Sequence, residues 1–104
     1  MSSTPTLALP AELIALQRSV LNADRALGDY ALAVRDRRRA AFPGPDQAVE
    51  RCGWAADEQA EFDRLWAEYV RAGDAVHAHP VLVRARILRV DGSVLRSLRA
   101  AARH

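Results

Sequence analysis

Residues 10–41, PAELIALQRSVLNADRALGDYALAVRDRRRAA, decide the fold. Within this stretch Leu13, Leu16, Val20, Ala23, Leu27, Tyr30 and Val34 recur in alternating steps of three and four residues. On an α-helix that spacing gathers the side chains onto one narrow seam, the pattern of a helix that packs lengthwise against another helix. A second row, Ile14, Leu21 and Ala31, runs beside the first. Pro10 suits a first helical position, where its missing N–H is not needed, and Glu12 puts negative charge near the positive end of the helix. The stretch predicts one helix from Pro10 to about Ala41, with Arg35, Arg37, Arg38 and Arg39 as cations near its negative end. Such a chain is built to associate, within itself or with copies.

Phe42-Pro43-Gly44-Pro45-Asp46 cannot continue the helix, because two prolines and a glycine break it. Asp46 is placed to cap a short helical turn over Gln47 to Cys52, stopped by Gly53. A second long helix is expected from about Ala55, with Asp57, Glu58 and Glu61 in its early turns. Its apolar stripe, Phe62, Leu65, Trp66, Tyr69, Val70, Gly73 and Val76, is wide enough for a globular core, and Trp66 and Tyr69 are read as core residues. Glu61, Arg64, Glu68 and Arg71 form a ladder of alternating sign on the solvated face. Gly73-Asp74 is a place for this helix to fray or bend, and Pro80 demands a boundary or kink.

The last segment has two readings. Asp91-Gly92 is a strong two-residue turn signal, and a β-hairpin there would pair residues 86–90 with 93–97. That pairing sets Val90 opposite Ser93 and Ile87 opposite Arg96, so the apolar faces do not match. At helical spacing, by contrast, Val83, Ile87, Val90, Val94, Leu98 and Ala101 share one arc while Arg89, Arg96 and Arg103 recur every seven residues on the far side. Helix is preferred, with Gly92 either costing it about 1 kcal/mol or marking a break with Ser93 as a new cap.

A chain of 104 residues makes one domain, here a flexible arm over residues 1–9 followed by a single helical domain over 10–104. The expected fold class is all-α: a long antiparallel, coiled-coil-like helical hairpin with a shorter C-terminal helix. All fifteen cations are arginine, which reads first as the codon usage of a GC-rich genome. The net charge of +2 is uneven, since residues 81–104 hold six arginines against one aspartate. Cys52 is the single cysteine, so no intramolecular disulfide forms; the opening residues do not read as a signal peptide, and no apolar run has membrane-spanning length. A cytoplasmic protein without membrane association is expected.

Motifs for chemistry are lacking. His77 and His79 point about 200° apart on a helix and make a poor metal pair. Cys52 has no neighbouring base, Glu58 and Glu61 sit where carboxylates cap helices, and no glycine-rich phosphate loop is present. No catalytic residue, cofactor or metal is expected. The expected function is a non-enzymatic interaction or assembly module, adaptor, regulator or structural subunit, that forms homo-oligomers through Leu13, Leu16, Val20, Leu27 and Trp54. The basic patch Arg89, Arg96, Arg99 and Arg103 is expected to meet an acidic protein surface. The alternative is a small nucleic-acid-associated protein that tracks phosphates with this patch, which lacks the aromatic residues that stack on bases.

Overall fold

A computed structural model of the chain describes residues 8–103. The fold is all-α: α1 (Ala11–Ala41), α2 (Ala48–Cys52), α3 (Ala56–Ala78), α4 (Pro80–Ile87) and α5 (Asp91–Ala102), with no strand among the described residues. Of the arm expected over residues 1–9, residues 1–7 lie outside the described residues, while Leu9 packs against a hydrophobic core. The contacts divide the chain into two units, the first comprising the residues up to Asn22 and from Val70 onward, the second Ala23–Tyr69. The helices α1 and α3 contribute to both.

In the first unit Leu13 of α1, Val76 of α3, Leu82 and Ala85 of α4 and Val94 and Leu98 of α5 form the buried core, with Ile14, Leu16, Val20, Val81, Val90 and Leu95 partly buried against it. The helix starts follow local chemistry. The Pro10 carbonyl accepts the N–H groups of Leu13 and Ile14, so α1 begins at Ala11, one residue later than the proline suggests. Gly73 passes inside α3 without a break, and the chain turns instead at Pro80. There His79 caps α4: its Nδ1 accepts the Val81 N–H at 3.2 Å, and Pro80 fills the first helical position. Because Nδ1 is the acceptor, the neutral ring carries its proton on Nε2, which lies 3.2 Å from Glu12 Oε1.

The expected single C-terminal helix is two. α4 ends in a Schellman motif, in which the Val90 N–H bonds to the Ala85 carbonyl and the Arg89 N–H to the Arg86 carbonyl. Arg89 occupies the left-handed position with φ of 58°, where glycine is usual. Gly92 lies inside the first turn of α5, so neither the hairpin turn nor a Ser93 cap is used. The break falls earlier because it lets Val90 pack against the core.

In the second unit Leu27, Val34 and Leu65 are buried. The connection between α1 and α3 is held by arginine. The Arg51 guanidinium donates to the Phe42 and Gly44 carbonyls at 2.8 and 2.5 Å, and Arg38 donates to the Glu50 carbonyl at 3.3 Å. The Gly44 N–H donates to Gln47 Oε1 at 2.8 Å, and a Cβ on Gly44 would lie 2.9 Å from that oxygen and from Asp46 Oδ1. Both are the ends of flexible side chains, so a larger residue there would displace them and disturb the Gln47 hydrogen bond. α2 forms over Ala48–Cys52 as expected, but Gln47 rather than Asp46 precedes it, and without a side-chain cap.

Candidate interaction surfaces

The residues expected at a partner interface are drawn inward. Leu13 is completely buried and Leu27 is 7% exposed, so both belong to the core of the chain itself; Leu16 and Val20 are half-buried against the first unit's core. Trp54 follows Gly53 in the connection and is half-buried, meeting Tyr30 of α1 at 6.2 Å and Phe62 of α3 at 5.2 Å between ring centroids, both edge to face. It fastens the end of the hairpin. Of the five, Leu13 and Leu27 face inward completely, and Leu16, Val20 and Trp54 divide their surface between the chain and solvent.

The apolar surface left outside is elsewhere. Trp66, read from the stripe as core, is 52% exposed and leans on the ring of Tyr69 at 5.6 Å. The stripe held the signal: Leu65, Tyr69, Ala72 and Val76 centre its arc, and Trp66 lies at its edge. In the first unit Val83 and Ile87, one turn apart on the outer face of α4, are 41% and 76% exposed.

Charge is sorted between the units. The described part of the first carries eight arginines against three acidic residues, and the second seven arginines against ten, giving +5 and −3. Several arginines are occupied by structural tasks. Arg18 donates to the Ala102 carbonyl at the end of α5 and Arg86 to the His77 carbonyl near the end of α3. Arg37 and Arg38 reach Glu58 at 3.2 and 2.9 Å. Glu58 Oε1 also accepts the Ala55 N–H, half of a capping box, and that bond, then the hydrogen bond from Arg38 and the charges of Arg38 and Arg37, hold its carboxyl below the ordinary value of 4.5. Arg64 bridges Glu61 and Glu68 along α3, which lowers the Glu61 pKa and raises that of Arg64.

The basic patch is exposed but is not one stripe. Arg96 and Arg99 lie on α5, Arg103 is its C-cap, and Arg89 stands in the turn before it, so the seven-residue repeat does not run along a single helix. Among the described residues the guanidinium groups of Arg84, Arg89, Arg96, Arg99 and Arg103 have no hydrogen-bond or ion-pair partner. Cys52 is exposed and free, and no three metal-ligating side chains converge among the described residues. No helix there is long and apolar enough to cross a membrane. Comparison of the chain with protein-family models, with curated proteins and with solved structures finds no match. The class defined by fold and surface is an all-helical chain with sorted charge and outward apolar side chains.

Proposed function

We propose that this protein is a non-enzymatic helical assembly module that self-associates in the cytoplasm. The observation that carries this reading is the sorting of charge, a first unit at +5 whose arginines near the C-terminus lack partners and a second unit at −3. Opposite potentials on one chain make a second copy an electrostatically complementary partner. Outward Ile87 and Trp66 supply apolar surface that such contact would cover. Light scattering across micromolar concentrations tests the reading. The expected result is a mass above the 11.4 kDa of one chain, falling with dilution and with added salt. A monomeric mass at every concentration overturns it.

One observation favours nucleic acid as the second reading: α4 and α5 are short helices joined by a tight turn and bear partnerless arginines. Against it, Asp91 stands in the first turn of α5 and no aromatic residue lies between Val81 and Arg103. Salt-sensitive retention of an oligonucleotide, lost when Arg89, Arg96 and Arg103 are changed to glutamine, would make it the better reading.

A further inference from the structure

The outer face of α4 is a short apolar row between two cations. Counting 100° per residue, Pro80, Val83 and Ile87 share one side of the helix, with Arg84 and Arg86 on opposite flanks. Ile87 is the most exposed of these large apolar side chains, and the Arg84 guanidinium has no partner among the described residues. The second unit offers a face of the opposite kind. On α3 Gln59, Asp63 and Trp66 fall on one side; Asp63 accepts a hydrogen bond from Gln59 at 2.9 Å but has no cation, and Trp66 is half exposed beside it.

We propose that the α4 face of one copy docks on the Asp63–Trp66 face of α3 in a second copy, with Val83 and Ile87 against the indole and Arg84 against the Asp63 carboxylate. The proposal rests on the self-association reading above and specifies its surfaces. Pairing of α4 with α4 across a two-fold axis would bring the guanidinium groups of Arg84 and Arg86 of both copies together, and like charge opposes it. Pairing with the acidic unit instead neutralises Arg84 and covers the exposed apolar groups of both partners. The contact uses different patches on the two copies, so every copy offers one of each.

Mixing two variants tests this. Val83→Glu with Ile87→Glu spoils only the α4 face; Asp63→Arg with Trp66→Arg spoils only the α3 face. All four positions are exposed, and unchanged far-ultraviolet circular dichroism verifies the fold. Each double variant alone is expected to lose at least about tenfold in self-association. Mixed in equal amounts, they are expected to form a complex of twice the chain mass, because each supplies the face that the other lacks. Undiminished self-association of either variant, or a mixture that stays monomeric, overturns the docking while leaving self-association standing. A monomeric unmodified protein overturns both. Should a double variant lose helix, Arg84→Glu and Asp63→Arg replace the pair, with the same expected rescue on mixing.

Discussion

Glu58 ties two helices together with a single carboxylate. It accepts the Ala55 N–H at the start of α3 and the guanidinium groups of Arg37 and Arg38 from α1. Its ionised form is favoured in the folded chain, so its folded pKa lies below 4.5. The stability it contributes is therefore present above the pKa of the unfolded carboxyl and is lost as pH falls through the lower folded value. Thermal midpoints measured from pH 6 down to pH 3 are expected to fall for the unmodified protein. Glu58→Gln, which keeps an acceptor for the Ala55 N–H but no charge, is expected to start lower and to fall less steeply; equal slopes would assign the acid sensitivity to other carboxylates. Arg18, Arg38, Arg51 and Arg86 show the complementary use of charge, each donating to a main-chain carbonyl outside its own helix. A guanidinium carries five donors in a fixed fork, which is why arginine suits this work. The bias toward arginine gave no sign of these tasks, since carbonyl partners are made by tertiary structure.

At the scale of the element, α1 and the boundary at Pro80 were legible because their causes are local: apolar spacing, breakers, and a ring that cannot donate a hydrogen bond. The turn between α4 and α5 was not. Asp91-Gly92 has the better turn chemistry, yet the break follows the burial of Val90 and leaves Arg89 at φ of 58°. An L residue other than glycine pays about 1 kcal/mol or more for that conformation, while glycine adds freedom to the unfolded chain. Arg89→Gly is expected to raise stability by about 0.5 kcal/mol, read from the urea midpoint, with the helix content unchanged. A lower midpoint would show that the Arg89 side chain contributes more than its backbone costs. Of the residues expected at an interface, Leu13 and Leu27 are buried within the chain, while Leu16, Val20 and Trp54 keep part of their surface exposed. Leu13 and Leu27 follow the seam and are covered by the chain's own helices, whereas Trp66 lies at the edge of the α3 stripe and Ile87 on the outer face of α4, and both stay exposed. Periodicity identifies what is buried; it says little about which apolar groups the fold leaves outside.

For the whole molecule, the net charge of +2 is a sum that describes neither unit. The tail of arginines and the acidic balance of the residues before it were both visible in the sequence, but the basic unit was not, because it joins the first turns of α1 to the chain from Val70 onward and appears only when contacts define it. Association through such opposed charges is expected to weaken with ionic strength, since a salt concentration of 0.15 M screens beyond about 8 Å. The same division has a practical consequence at the bench. A charged resin binds the patch it touches, not the total, so a protein with an isoelectric point near 9.3 should be retained near neutral pH by a cation exchanger through its α4–α5 end and also by an anion exchanger through the acidic flank of α3. Elution order on either column would then report which unit is free, making the pair of chromatograms a direct reading of what is already occupied.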